Sequence, residues 1–316
     1  MAIVRNDIVT LSSGCARCGI APHAGGAVTG FWWERNGRRI DWLRPATPSA
    51  VARGDAGQMG CFPMVPYGSR IRDARFVFCG REVVETPAQP EMRHAIHGHG
   101  WRRDWTLLER SDDHLVLEYD YPSDAWPWAY RTRQRFELAP EALTMTLEIE
   151  NRSETLMPAG LGFHPFFPRT PGVTVTATTA GVWLTDPEVM PTEKTAVPPQ
   201  WDLSAGRRVA ELALDNVFTG WHGEAVLTWP EQGARLAIAA SQPLLSFLVV
   251  YTPPEADFFC VEPASHCTDA INLARQGVAD TGLRVLAPGV RRSATVTLRP
   301  ELVWRTSRSG EVIYLL

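Results

Sequence analysis

Residues 143–151 read LTMTLEIEN, and Leu143, Met145, Leu147 and Ile149 alternate there with Thr144, Thr146, Glu148 and Glu150. Successive side chains of a β-strand point to opposite faces, so this period of two predicts a strand with one dry and one wet face, the pattern of an antiparallel sheet. The same alternation recurs on both sides. Upstream are RFVFCG (75–80), WTLLERSDDHLVLEYDY (105–121) and YRTRQRFEL (130–138); downstream are VTVTATTAGVWL (173–184), EAVLTW (224–229), RLAIAA (235–240), LLSFLVVYT (244–252) and SATVTLRP (293–300). Polar Ser111, Asp112 and Asp113 divide residues 105–121 into a hairpin. No long amphipathic helix stands out, and 25 glycines with 25 prolines suit a fold of many turns. The expectation is an all-β chain, a large antiparallel β-sandwich or barrel-like fold, forming one domain over 1–316. Pro-rich residues 186–209 are expected to be a long loop at a pocket edge, and 306–316 a loose tail or edge strand.

Composition narrows the function. Apolar residues make up 45% and charged residues 21%, enough to bury a sizeable core, and the formal charge of −4 disfavours a nucleic-acid partner. The N-terminus carries no basic-then-apolar export pattern and no run of 18 apolar residues occurs, so a cytoplasmic protein with no membrane partner is expected. The six cysteines are then reduced thiols. Cys15-Ala-Arg-Cys18 has the spacing of a zinc or redox motif but lacks a second pair to complete it. Signatures of serine hydrolases, P-loops and Rossmann folds are missing.

Chemistry-bearing residues concentrate in PYGSRI (66–71), HGHGWRRDW (97–105), LGFHPFFPR (161–169) and FFCVEPASHCTDAIN (258–272). Glu262 follows an apolar run and precedes Pro263, which is expected to stop its strand and leave the carboxylate half-buried. There desolvation would raise its pKa and a cation would lower it, and it can serve as a general base or as a structural ion-pair partner. His164 stands between a glycine-flanked apolar run and Pro165-Phe166-Phe167-Pro168, whose prolines disfavour a continuing helix or a central strand, so the imidazole is expected in a rigid cradle, as a core histidine or as a catalytic one. His97 has the alternative of bracing the HGHG turn, Arg70 of a surface position and Asp215 of a turn. His97-Gly98-His99 suggests a cupin-like metal pair but lacks the glutamate such a site needs a few residues on.

Taken in order, Ser69-Arg70, HGHGWRRDW, GFHPFF, LDNVF (214–218) and VEPASHCTDAIN resemble the aldose 1-epimerases, or galactose mutarotases, over residues 60–300. The resemblance implies the galactose mutarotase-like supersandwich and an isomerase that needs neither cofactor nor metal. It makes Glu262 the general base and His164 the general acid, with His97 and Arg70 holding the sugar near its ring oxygen and Asp215 accepting from its hydroxyls. Ser69 stands where the family has asparagine and Phe166 where it commonly has tyrosine, so a sugar contact is expected to be lost or moved. Trp101 and Trp105 could stack on a sugar face or lie in the core. On this reading neighbouring carboxylates should raise the pKa of His164. The partner is a free aldose. The alternatives are a hexose 6-phosphate, for which Arg70, Arg93, Arg102, Arg103 and Arg169 would supply cations, and a non-catalytic sugar-binding sandwich.

Overall fold

The computed structural model describes residues 8–35, 37–303, 305–306 and 312–313. The alternation at 143–151 produces what it predicts. Leu143, Met145, Leu147 and Ile149 are buried in the strand Ala142–Asn151, while Thr144 and Thr146 face outward and meet Thr297 and Thr295 across the ladder at 3.3 and 2.9 Å. Glu150 departs from the pattern. It is buried on the outer side, where Arg152 and Arg291 hold its carboxylate at 2.9 and 3.0 Å.

That strand sits in a nine-stranded antiparallel sheet in the order Thr106–Arg110, His114–Tyr121, Tyr130–Ala139, Ala142–Asn151, Arg291–Leu302, Ala234–Ala240, Glu224–Trp229, Thr174–Ala177, Arg207–Arg208. Facing it is an eleven-stranded sheet. Its main path runs Val9–Ser13, Ala16–Ala21, Ala27–Arg35, Cys61–Met64, Gly162–Pro168, Phe258–Ala264, Phe247–Tyr251, Asp215–Thr219, Gly181–Thr185, Pro191–Thr195, with Arg38–Asp41 hydrogen-bonded to Ala27–Arg35. Met145, Leu147, Val296 and Leu298 from one sheet and Phe163, Phe167, Phe259 and Val261 from the other share one buried core. The fold is an all-β antiparallel sandwich. Its two α-helices among the described residues, Pro48–Arg53 and Ala270–Arg275, have six residues each. Truncating a residue such as Leu147 to Ala should cost about 2–5 kcal/mol, the usual loss for a filled core position.

Several segments depart from expectation. VTVTATTAGVWL divides between the sheets, with Thr174–Ala177 in one and Gly181–Thr185 in the other. Residues 186–209 are no simple loop: they hold the edge strand Pro191–Thr195, a 3-10 turn at Pro199–Trp201 and the short strand Arg207–Arg208. The strand Ala16–Ala21 shows no alternation because five of its six residues are buried, Cys18 among them. Cys18 therefore packs in the core, its thiol pushed far up by burial, and all six cysteines are unpaired. Arg305–Thr306 pairs with Val312–Ile313, and the rest of the tail lies outside the described residues. Among the described residues no helix is long and apolar enough to cross a membrane.

Candidate active site

The central strands of the larger sheet have two different faces. Phe163, Phe167, Phe259, Val261, Leu248, Val250 and Phe218 point into the inter-sheet core. Their alternates line the opposite face: Phe62 and Met64 from Cys61–Met64, His164 and Phe166 from Gly162–Pro168, Cys260 and Glu262 from Phe258–Ala264, Tyr251 from Phe247–Tyr251, and Asp215 from Asp215–Thr219. Period-two geometry thus gathers onto one surface residues that lie up to 200 positions apart.

His164 does not sit outside a strand. Gly162–Pro168 runs through Pro165 and Pro168 in the middle of the sheet, and Phe258–Ala264 runs through Pro263. Gly162 pairs with Ala264 and Phe166 with Cys260, a register that sets His164 opposite Glu262. Leu161 with Ser265 and Arg169 with Asp257 bond across this ladder, so Pro165 and Pro263, of the same parity, face it without an N–H to donate, and the pairing is interrupted between Gly162–Ala264 and Phe166–Cys260. The other neighbours of these strands complete the pairing: Phe62 lies opposite His164, and Val249 opposite Glu262.

The result is a buried acid–imidazole contact, His164 Nε2 to Glu262 Oε1 at 3.3 Å. The ring of His164 stacks with Phe62 and with Phe166, centroids 4.5 and 4.6 Å away, and these two rings, 6.0 Å from each other, pack side by side against it. Arg44 lies over the Phe166 ring, its guanidinium 4.0 Å from the centroid, and donates to the Gly57 and Met59 carbonyls. The rigid cradle is therefore aromatic. Phe166, in the position where the family commonly has tyrosine, is a wall of that cradle.

Glu262 is only 3% exposed, not half-buried at a strand end. Burial, helped by the charge of Asp215 and opposed by Arg70, pushes its carboxyl well above the ordinary carboxylate range. His164 moves opposite to the sequence expectation. Burial, with Arg44 and Arg70 adding to it, lowers its pKa to about 3, so desolvation of the cation outweighs attraction to the carboxyl. Both shifts favour the uncharged forms, the carboxyl of Glu262 and the neutral imidazole of His164.

The remaining sugar-binding candidates surround this pair. Arg70 opens the short strand Arg70–Ile71, and its Nη2 stands 3.5 Å from Asp215 Oδ2; their side chains are 25% and 29% exposed, so they form an open rim above a closed floor. His97 follows the strand Ala95–Ile96, which pairs with Arg70–Ile71, and its ring centroid is 5.1 Å from that of His164. The backbone N–H of Ser69 donates to His97 Nδ1 at 3.1 Å. Nδ1 is then the unprotonated nitrogen and Nε2 carries the hydrogen, in keeping with burial holding His97 well below the ordinary imidazole range. Its own φ of 57° is left-handed, and Gly98 beside it has φ 65°, where a Cβ would collide with the Val65 carbonyl. So all five expected residues converge.

Other expectations resolve differently. Ser69 does not offer its hydroxyl outward, for Oγ lies 2.6 Å from Thr268 Oγ1. Trp101 stacks on Phe62 at 5.0 Å and is partly exposed, whereas Trp105 is buried against Tyr119 and donates to the Gly100 carbonyl. The His97-Gly98-His99 pair diverges: His99 bonds Glu85 at 2.9 Å and Tyr130 at 3.1 Å in the interior. Arg44, Phe62 and Tyr251 belong to the site and were missed. For Tyr251 a signal existed, since it shares the parity of Phe247 and Val249 and its ladder partners are Asp215 and Cys260. Arg44 and Phe62 carry no local signal, because only the sheet order brings their segments beside His164.

Residues 7–299 match the model of the aldose 1-epimerase family. A curated relative, the uncharacterized protein YphB of Escherichia coli K12, is 32% identical over 301 residues, 93% of this chain and 99% of its own. A solved Escherichia coli K12 structure, its assignment as an aldose 1-epimerase provisional, superposes with a TM-score of 0.84 at 30% identity, covering 94% of this chain and 99% of that one. A galactose mutarotase-like protein from Clostridium acetobutylicum superposes with a TM-score of 0.83 at 18% identity, covering 96% and 98%, a likeness of fold. By this match and these relatives, the chain belongs to the aldose 1-epimerase family.

Proposed function

We propose that this protein interconverts the α and β anomers of a free aldose, with Glu262 and His164 as the proton-transfer pair. The observation that carries the reading is their 3.3 Å contact on the buried floor of the site. In an aldopyranose the anomeric hydroxyl and the ring oxygen are both bonded to C1, so an acid and a base that serve them must stand side by side. Two groups at distant ends of a cleft could not do so.

The proton of the pair begins on Glu262. As the polar sugar replaces water against the floor, that proton passes to His164, giving a carboxylate and an imidazolium. Glu262 then takes the proton of the C1 hydroxyl while His164 protonates the ring oxygen. The C1–ring oxygen bond breaks, C1 becomes an aldehyde, and its rotation presents the other face. Closure runs the same transfers backward with the roles exchanged. No electrons leave the system and the protons balance, so the steps call for no cofactor. Each positioned group is expected to contribute ~10²- to 10⁴-fold, enough to speed a reaction that proceeds unaided in water.

Arg70 and Asp215 supply a donor and an acceptor at the rim for ring hydroxyls, and the Nε2–H of His97 supplies a donor beside the pair. An uncharged sugar fits better than a phosphorylated one. Arg93 is engaged by Asp73 and Glu188, Arg102 by the Ala88 carbonyl, Arg169 by the Pro253 carbonyl, and Arg70 by Asp215. Anomer exchange measured by NMR across free aldoses and glucose 6-phosphate tests the reading. Catalysed exchange with a free aldose, and little with the phosphate, is expected. Saturable sugar binding without exchange would instead make the protein a carbohydrate-binding module.

A further inference from the structure

Cys260 has no part in the proton transfers, yet it completes a ligand set. It lies two residues before Glu262 on the same face of Phe258–Ala264 and opposite Phe166, with no exposed surface. One ligand atom each from His164, Cys260 and Glu262 lies within 4.8 Å of the others. We propose that this triad is a binding site for a single zinc ion, and that the ion is a reversible inhibitor which occupies both halves of the proton-transfer pair.

The donor chemistry selects the ion. One imidazole nitrogen, one thiolate and one carboxylate oxygen suit zinc, whereas calcium and magnesium want oxygen ligands throughout. Zinc–ligand bonds of about 2.0–2.3 Å place tetrahedral ligand atoms roughly 3.3–3.7 Å apart. His164 Nε2 and Glu262 Oε1 already stand at 3.3 Å, so only the Cys260 thiol has to swing inward. The stacked rings of Phe62 and Phe166 hold the imidazole plane in place. With three protein ligands, the fourth position of a tetrahedral zinc is left for water. On binding, the Cys260 thiol and the Glu262 carboxyl each give a proton to solvent, the S–H and O–H bonds are replaced by zinc–sulfur and zinc–oxygen bonds, and nothing is oxidised.

The shell behind the ligands argues for reversible occupation. A histidine that holds a structural metal donates its other N–H to a carbonyl or carboxylate, but His164 Nδ1 is buried without a partner. Binding stands on geometry alone. That the ion stops catalysis rests on reading His164 and Glu262 as the proton-transfer pair.

Cobalt(II) titration of the purified protein tests the site without recourse to activity. One ion per chain, with a thiolate-to-cobalt charge-transfer band that zinc(II) abolishes, is expected. Cys260→Ala should lose the band and raise the zinc concentration needed for half-occupancy by more than about tenfold, the loss seen even for partners one shell further out. Cys260→Ser, which keeps the volume, should behave like Cys260→Ala if the folded state survives in either. Zinc should also slow anomer exchange in the wild type and do so far less in the Cys260 variants, each compared with its own metal-free rate. A band that persists in both variants would place the thiolate ligand elsewhere and overturn the site, as would no band at all. Exchange that continues at full rate in zinc-saturated protein would overturn the inhibition. Failure of every form to exchange anomers would strike the functional reading and leave the cobalt result standing.

Discussion

His164 and Glu262 occupy facing positions on neighbouring strands, their Nε2 and Oε1 atoms 3.3 Å apart, and each is followed directly by a proline. The residue before a proline is driven toward extended backbone, so His164 and Glu262 are both held in strand conformation by the next residue in the chain. Pro165 and Pro263 thus fix the pair from within the sheet, and Phe62 and Phe166 pack side by side against the imidazole.

Arg70 and Asp215 form the rim and stand 3.5 Å apart. Arg70→Ala and Asp215→Asn should each raise KM more than they lower kcat, by ~10- to 100-fold for a lost charged hydrogen bond of about 1.5–3 kcal/mol. Their effects should fall short of additive in the double variant, because each single change already releases the other partner. Anomer-exchange rates against sugar concentration measure this.

Phe166 is a wall of the His164 stack. Phe166→Leu should lower kcat up to ~10-fold, the equivalent of an aromatic contact of about 0.5–1.5 kcal/mol, with KM little changed. Phe166→Tyr keeps the ring and should stay near the wild-type rate.

Burial lowers the pKa of His97, His164 and His266, favouring the neutral imidazole of each in the folded protein. Below about pH 6.5 the unfolded chain takes up protons that these folded histidines refuse, so the unfolded state gains and stability falls as pH drops through that range. Thermal unfolding from pH 8 to 4 should show the melting temperature declining on the acid side, with the decline starting near the ordinary histidine pKa.

Glu262 has the opposite sign. Its folded pKa is raised, so its contribution to stability is fully present below the unfolded glutamate pKa of about 4.3 and is lost as pH rises through the folded value. At neutral pH, Glu262→Gln should therefore melt higher than wild type, by about 2–4 °C for each kcal/mol recovered. A site group that destabilises its own fold fits a role in function.

Much of this was legible in the sequence where side chains alternate. Residues 143–151 and 130–138 announce strands because one face of each is wet, whereas Ala16–Ala21 and Gly162–Pro168, closed in on both faces, show no period to read. The five site residues were found through motif order. Their convergence depends on the pairing of Gly162–Pro168 with Phe258–Ala264, which prolines at 165 and 263 seemed to argue against; they interrupt the ladder, but pairing on either side of them, at Gly162–Ala264 and Phe166–Cys260, keeps the register. The direction of the His164 shift was misread because a neighbouring carboxyl was visible in the motifs and the depth of burial was not.

Polarimetry of freshly dissolved α-glucose or α-galactose with wild-type protein and Glu262→Gln, both shown folded by circular dichroism, addresses the central claim. The variant should bind sugar and lose catalysed anomer exchange by ~10²-fold or more, the contribution of a positioned general base. Exchange by Glu262→Gln at a near-wild-type rate would contradict the assignment of Glu262 and, with it, the account of the site.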